Sequence, residues 1–251
     1  MQRLPGITRD TALFLDFDGT LADLAPEPEA VRVAHGLVSA LVALYEVLDG
    51  ALAIISGRRL VDLDHFLTPL RLPAAGEHGS QLRHADGRLV SLATPDLGEA
   101  LVAAQALAHR HAGLRVEPKQ AAVALHYRQA PELACLCREV MTDAVTQSPG
   151  LELVEGKFVL EVKPVGIDKG RAIDIFMSDA PFMGRRPLFA GDDVTDEAGF
   201  AAVQRQGGLG LKVGLGPTVA LYHCDSPQAL RSWLHFSIGR IGAASAARKF
   251  E

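Results

Sequence analysis

The sequence predicts an α/β fold, a doubly wound and mostly parallel sheet that carries an inserted α+β domain. Short apolar runs alternate with helically spaced segments in the first and last thirds of the chain, as in strand–helix–strand units. The middle third instead has turn signals between alternating runs, which is typical of antiparallel hairpins. We therefore assign residues 1–79 and 164–251 to the α/β core and residues 80–163 to the insert.

The first part of the core reads as strand, helix, strand, helix and strand. The run ALFLDF at residues 12–17 is apolar enough for a strand that is buried on both faces. Leucines recur at helical spacing between positions 37 and 48, and Gly50 ends that helix. The segments ALAIISGRR, RLVDLDHFL and LPAAGEHG then predict a strand, a short helix and a short strand.

The insert reads as hairpins and helices. Asp86-Gly87 and Glu155-Gly156 are turn signals between short apolar runs. The segments DLGEALVAAQALAHRH and PELACLCREVMTDAVTQ predict helices, and LRVEPKQAAVALHYR alternates like an antiparallel strand pair. After Pro164 the core pattern returns, with helix DKGRAIDIFMSDA, strand RRPLFAGDD, helix VTDEAGFAAVQRQ, strand GLGLKVGLG and helix SPQALRSWLHFSI.

Composition narrows the classes of function. The chain has 251 residues, is 48% hydrophobic and has a net charge of −5, which suits a large core and argues against a nucleic-acid partner. The three cysteines lack the spacing of a zinc or redox motif, and neither a signal peptide nor a membrane span is recognisable. We expect a cytoplasmic protein without a membrane partner; the oligomeric state is open, and a monomer is compatible with the sequence.

Polar side chains collect at the predicted carboxyl ends of the core strands, where doubly wound sheets bind ligands. Crowded carboxylates repel one another, and Mg²⁺, which prefers oxygen ligands and leaves room for a phosphate, relieves that repulsion. A lysine and hydroxyl groups beside them suit phosphoryl oxygens. Singly, each residue fits an ordinary turn, cap or loop, whereas the set in this order predicts phosphoryl transfer. Its members are Asp16, Asp18, Thr20, Ser56, Lys169, Asp192, Asp193 and Asp196.

Four motifs, DFDGTL, ISGR, DKG and GDDVTDE, resemble those of the haloacid dehalogenase (HAD) phosphohydrolases. The resemblance implies a Rossmann-like core, and the insert between the second and third motifs resembles the larger, C2-type cap. The segments SGRR, GEHG, VEPK with ALHYR, VLEVKP and GDDVTDE are further similar to trehalose-6-phosphate phosphatases. The likeness extends over about residues 13–234.

The resemblance implies an aspartyl-phosphate mechanism with Mg²⁺ as cofactor. Asp16 would be the nucleophile and a metal ligand, while Asp18 would give the metal its backbone carbonyl and use its carboxyl group as general acid and base. Asp192 would complete the metal site. Asp196 would orient the metal ligands by contacting them, or would act on the metal through water. Asp193 is a further candidate for that last task.

The remaining candidates would contact the substrate. Ser56 would donate to a phosphoryl oxygen, and Lys169 would pair with the developing charge and with Asp16. The substrate-binding candidates in the core are Thr20, which can also fix its loop, Gly57, Arg58 and His78.

In the insert, strand alternation places Glu117 and Lys119 on one face and Glu161 and Lys163 on one face. Phe158, Leu160 and Val162 should then face the core of the insert. Alternation alone favours a solvated charged surface, but the resemblance implies that Glu117, Lys119 and Glu161 bind the disaccharide. His126 and Arg128 share a face, and either a structural or a binding role remains open for them.

The implied reaction is hydrolysis of the small-molecule substrate trehalose 6-phosphate to trehalose and inorganic phosphate, the last step of trehalose biosynthesis. Alternatives are a sucrose-phosphate or mannosyl-phosphoglycerate phosphatase, a phosphomutase, or a non-catalytic sugar-phosphate sensor. The complete set of Asp16, Asp18, Lys169 and Asp192 argues against the sensor.

Overall fold

The computed structural model describes residues 4–92, 95–119 and 121–247, which contain twelve strands and seven α-helices. The strands are β1 Thr11–Leu15, β2 Leu52–Ile55, β3 Ala74–Gly76, β4 Gln81–Arg83, β5 Leu89–Ser91, β6 Arg115–Pro118, β7 Val123–His126, β8 Leu151–Gly156, β9 Val159–Pro164, β10 Arg186–Gly191, β11 Leu209–Val213 and β12 Tyr222–Cys224. The helices are α1 Leu37–Val47, α2 Leu60–Leu67, α3 Gly98–Arg110, α4 Ala134–Thr146, α5 Lys169–Met177, α6 Glu197–Arg205 and α7 Pro227–Ala247.

Eight strands form one sheet in the order β12, β11, β10, β1, β2, β3, β4, β5. Strand β1 pairs in parallel with β10 on one side and with β2 on the other, so the direction of winding reverses at β1. Ligands of doubly wound sheets bind beyond the strand ends at such a reversal. Asp16 directly follows β1 and Asp192 directly follows β10, which places both at this point. The predicted fold class is confirmed.

Both faces of the sheet are buried at β1, which explains the apolar run in this strand. Leu13 and Leu15 pack in a hydrophobic cluster with residues of α1, α2 and α7, among them Leu41. Ala12 and Phe14 face the opposite way and pack with residues of α5 and α6. Both sides of β1 are therefore covered by helices, as in other parallel sheets.

The second sheet is antiparallel, in the order β6, β7, β9, β8. One of its faces packs with α3 and α4, through a cluster that includes Leu107, Leu125, Met141, Leu160 and Val162. The expected inward direction of Leu160 and Val162 is therefore confirmed.

The chain divides into two compact units, of which the second is Ser91–Ile167, whereas the sequence placed the insert at residues 80–163. The difference arises at β4 and β5, which extend the large sheet because β4 pairs antiparallel with β3. The turn signal at Asp86-Gly87 predicts a hairpin of the insert, whereas β4 and β5 on either side of it belong to the large sheet.

The turn between β8 and β9 also differs from expectation. Gly156 pairs with Val159, so the turn lies at Lys157 and Phe158 and not at Glu155-Gly156. Phe158 has a φ of 64° and is 39% exposed, so the prediction that it faces the core of the insert is wrong. Among the described residues, no helix combines the length and the apolar character that crossing a membrane requires.

Candidate active site

The loop after β1 brings its first carboxylate to the centre of the large sheet. Asp16 is 4% exposed, and its backbone N–H donates to the carbonyl of Ala190 in β10, at 2.9 Å. The turn then closes through the N–H of Gly19, which donates to the carbonyl of Ala22 at 2.8 Å. Gly19 has a φ of +75°, and a Cβ atom there would lie 2.1 Å from Oδ2 of Asp192. Glycine therefore allows the turn to approach the second carboxylate.

Lys169 lies between two buried carboxylates. Asp168 caps α5 by accepting from the N–H of Arg171 at 2.8 Å, which sets Lys169 at the first helical position. Its Nζ lies 2.7 Å from Oδ1 of Asp16 and 2.7 Å from Oδ1 of Asp196. Burial alone would lower the pKa of Lys169, but the charges and hydrogen bonds of both aspartates outweigh it and raise that pKa. The site therefore holds a permanent ammonium group beside Asp16.

Asp196 and Asp193 shape the loop after β10. Oδ2 of Asp196 accepts from the backbone N–H groups of Asp192 and Asp193, both at 2.9 Å. The side chain of Asp193 accepts from the N–H of Val194 at 2.7 Å and caps the short helical turn that follows. Asp196 thus holds the loop that presents Asp192, and Asp193 has the ordinary capping function considered for it.

Asp16, Asp192 and Asp196 have carboxylate oxygens within 4.8 Å of one another. Burial, and then the neighbouring carboxylates, raise the pKa of Asp192 to about 7. Burial, together with Asp196 and Asp192, likewise raises the pKa of Asp16, although Lys169 opposes the shift. An all-oxygen set that resists ionisation in this way suits a hard divalent cation. Because both oxygens of Asp196 already accept hydrogen bonds, Asp16 and Asp192 are the side chains best placed to hold it.

Two further side chains support Asp192. Thr20 is fully buried, and its hydroxyl donates to Oδ1 of Asp192 at 3.3 Å. Lys212 in β11 is 5% exposed, and its Nζ donates to the backbone carbonyl of Asp192 at 2.5 Å. Lys212 was not among the residues predicted from the sequence. A lysine inside the apolar run GLGLKVG is the signal that could have identified it.

Motif ISGR forms the next part of the site. Ser56 directly follows β2, is 1% exposed, and its Oγ accepts from the N–H of Arg58 at 3.2 Å. The Arg58 guanidinium lies over the rings of Phe66 and Phe17, at 4.7 and 5.6 Å from their centroids. Its Nε and Nη2 donate to the two oxygens of Asp18, at 2.6 and 2.7 Å. The structure therefore brings Arg58 to Asp18.

The segment GEHG is bonded to this motif. The N–H of Glu77 donates to the carbonyl of Arg58, and that of His78 to the carbonyl of Ser56, both at 2.9 Å. Glu77 and His78 have φ values of 46° and 57°, a left-handed backbone that costs free energy in residues other than glycine. A Cβ atom on Gly57 would lie 2.7 Å from the His78 ring. Glycine at position 57 therefore makes room for that ring.

The charged residues of the insert lie on the face of the antiparallel sheet opposite its hydrophobic core. Glu117 and Glu161 flank Ala124, which pairs with both of them in the sheet. Nζ of Lys119 lies 2.7 Å from Oε2 of Glu161, and Nε2 of His126 lies 2.8 Å from Oε2 of Glu117. The hydrogen bond from His126 lowers the pKa of Glu117, and the charge of Lys119 adds to this. The structure thus brings the three predicted residues into one charged group.

Lys163 and Arg128 are the remaining candidates of the insert. Lys163 forms an ion pair with Glu152 at 3.0 Å and donates to the carbonyl of Ile167. Arg128 is exposed just after β7.

The fold is that of the haloalkanoate (HAD) enzyme superfamily. A phosphatase of the haloalkanoate (HAD) enzyme superfamily from Bacteroides thetaiotaomicron shares the fold, with a TM-score of 0.61, 17% identity, and 93% of this chain and 96% of that chain covered. The C-terminal domain of trehalose-6-phosphate phosphatase from C. albicans shares it with a TM-score of 0.83, 23% identity, and coverage of 92% and 93%.

The chain belongs to the trehalose-phosphatase family, whose model matches residues 14–228. A trehalose-6-phosphate phosphatase from Escherichia coli (strain K12) is 41% identical to it over 233 residues, which are 92% of this chain and 87% of the relative. Members of this family are phosphoric monoester hydrolases.

Proposed function

We propose that this chain hydrolyses trehalose 6-phosphate to trehalose and inorganic phosphate, with Asp16 as nucleophile. The observation that carries the proposal is the buried carboxylate of Asp16 at the winding reversal, 2.7 Å from the ammonium group of Lys169. Phosphoryl transfer depends chiefly on positioning and on charge neutralisation, and this arrangement provides both. The similarity to the named relatives supports the choice of sugar.

In the first step, a carboxylate oxygen of Asp16 attacks phosphorus, and the bond between phosphorus and the sugar oxygen breaks. Lys169 offsets negative charge beside Asp16, and the buried hydroxyl of Ser56 donates to a phosphoryl oxygen. In the second step, water attacks the aspartyl-phosphate, releases inorganic phosphate and restores the carboxylate of Asp16.

Asp18 moves the protons in both steps. Its carboxyl group gives a proton to the departing sugar oxygen and then takes one from the attacking water, help that is typically worth about 10²–10⁴-fold in rate. Both of its oxygens accept from Arg58 in this structure. To act as general acid, Asp18 therefore has to release Arg58 and donate a hydrogen bond to the sugar oxygen instead.

The carboxylates of Asp16 and Asp192 and the backbone carbonyl of Asp18 would hold Mg²⁺. When bound, this ion supplies positive charge for the phosphoryl oxygens. Thr20, Lys212 and Asp196 keep Asp192 and its loop in place for that purpose.

Glu117, Lys119 and Glu161 recognise the sugar, because carboxylate and ammonium groups on a sheet face can satisfy many hydroxyl groups at once. The ion pair of Lys119 with Glu161 and the hydrogen bond between His126 and Glu117 are both present without substrate. The expected cytoplasmic location and the compatibility with a monomer remain predictions.

Replacing the nucleophile tests the mechanism. Asp16→Asn should reduce phosphate release from trehalose 6-phosphate by more than about 10³-fold, because an amide does not form the phosphoenzyme. Asp193→Asn is the matched control, since asparagine also caps helices well and should keep activity. Circular dichroism establishes that both variants fold. Release by folded Asp16→Asn at the wild-type rate would refute the assignment.

A further inference from the structure

We propose that His126 is a positioning residue for sugar recognition, whose imidazole holds the carboxylate of Glu117 in the orientation that accepts a sugar hydroxyl. The inference rests on the proposed function and extends it to a residue that does not itself have to touch the sugar. Its basis is the geometry of the antiparallel sheet.

The register makes His126 and Glu117 diagonal neighbours. His126 ends β7 and pairs with Arg115 of β6, and Glu117 lies two residues further along β6 on the same face. Nε2 of His126 is 2.8 Å from Oε2 of Glu117, within ordinary hydrogen-bond distance. Val123 and Leu125, which alternate with His126 along β7, lie in the hydrophobic cluster, so His126 belongs to the charged face.

The direction of this hydrogen bond follows from the charge of Glu117. A glutamate is ionised near neutral pH and its carboxylate can only accept, so Nε2 of His126 carries the hydrogen. Among the described residues, this bond engages one carboxylate oxygen, Oε2. The side chain of Glu117 is 34% exposed, which leaves Oε1 available to a hydroxyl group.

Two neighbours of Glu117 on this face are not placed to take over the task. Directly across from Glu117 is Ala124, whose methyl group has no donor. Beyond it, the ammonium group of Lys119 is bonded to Glu161 at 2.7 Å. Without His126, the flexible Glu117 side chain would sample several rotamers, and the ordering cost would fall on substrate binding.

The test compares donors at position 126. In His126→Phe the ring stays and the donor is lost, so the kcat/KM ratio of trehalose 6-phosphate to p-nitrophenyl phosphate should fall about tenfold, mainly through the KM of the sugar phosphate. His126→Gln keeps an N–H at similar reach and should stay within about threefold of wild type. His126→Asn, whose donor is too short, should match His126→Phe and replaces it if the phenylalanine variant does not fold.

A double-mutant cycle with Glu117→Gln separates this inference from the proposed function. If His126 acts through Glu117, adding His126→Phe to Glu117→Gln should change the ratio less than about twofold. A normal ratio in Glu117→Gln alone would overturn the sugar-binding role of Glu117 and this inference with it. If Glu117→Gln reduces the ratio, the inference alone is overturned when His126→Phe has no effect in the wild-type background, or when it has its full effect in the Glu117→Gln background.

Discussion

At the scale of single residues, the site depends on the charge that surrounds Asp192. Three carboxylates lie close together, and within them the buried ammonium group of Lys169 compensates Asp16 and Asp196 directly. Asp192 receives weaker help, from the Thr20 hydroxyl, from the charge of Lys169, and from Lys212, which donates to its backbone carbonyl. Its ionisation is therefore the part of the site that a cation can change most.

This charge balance predicts a pH dependence of metal binding. The pKa of Asp192 is about 7 in the folded protein and about 4 in an unfolded chain, so the folded state binds the extra proton between these values. In metal-free protein this group lowers the free energy of unfolding as pH rises from about 4 to 7. Mg²⁺ needs the ionised carboxylate, so its stabilising effect should grow over the same window.

The measurement is the difference in Tm between Mg²⁺ and EDTA at pH 5 and at pH 8. We expect a larger difference in Tm at pH 8 than at pH 5. At pH 8, Mg²⁺ at 100 times its Kd should raise the free energy of unfolding by about 2.7 kcal/mol. Asp192→Asn should flatten the dependence, while Asp193→Asn should preserve it. Equal shifts at both pH values in the wild type would contradict this account of Asp192.

The sequence predicted which residues meet and, through the resemblance, the pairing of Lys169 with Asp16, but it did not predict the other side-chain pairs. Asp16, Lys169 and Asp192 follow strand ends or begin a helix, so the order of elements is enough to bring them together. The contacts of Arg58 with Asp18 and of His126 with Glu117 depend on rotamers and on the strand register. Neither is encoded in the spacing of polar residues along one segment.

At the scale of elements, the turn after β1 is the most demanding piece of backbone. Gly19→Ala should cost about 1–2 kcal/mol of stability for its left-handed conformation, and its methyl group would also displace the Asp192 carboxylate. We expect activity to fall at least about tenfold. Thermal unfolding and phosphate release measure the two effects.

Gly36 provides the matched control for this turn. It has a φ of +82°, and a Cβ atom there would meet nothing within 4 Å. Gly36→Ala should therefore lose similar stability while keeping its activity. If both variants kept activity, the close approach of the turn to Asp192 would have no functional importance.

Strand and helix order was predictable because the period of apolar residues reports burial, as in the fully buried β1. The turn between β8 and β9 was harder to predict. Glu155-Gly156 is a good turn signal, but pairing of Gly156 with Val159 moves the turn onward to Phe158. Long-range pairing likewise joins β4 and β5 to the large sheet, although they follow the same hairpin pattern as the insert.

At the scale of the whole molecule, the two units carry different chemistry. The unit with the large sheet contains the carboxylates, Lys169 and Ser56, which suit phosphoryl transfer from any phosphate ester. The unit at Ser91–Ile167 contains Glu117, Lys119 and Glu161, whose grouping suits a polyhydroxylated ligand. The proposed function needs both sets, one for the reaction and one for the choice of sugar.

Phosphate release by the wild-type chain from trehalose 6-phosphate, sucrose 6-phosphate and glucose 6-phosphate, first with Mg²⁺ and then with EDTA, tests this account most directly. Because a site built for particular hydroxyl groups discriminates strongly, kcat/KM for trehalose 6-phosphate should exceed the other two by at least about a hundredfold. EDTA should abolish all release. Equal or faster turnover of sucrose 6-phosphate would contradict the proposed function. Transfer of the phosphoryl group to another sugar, in place of its release as inorganic phosphate, would also contradict it.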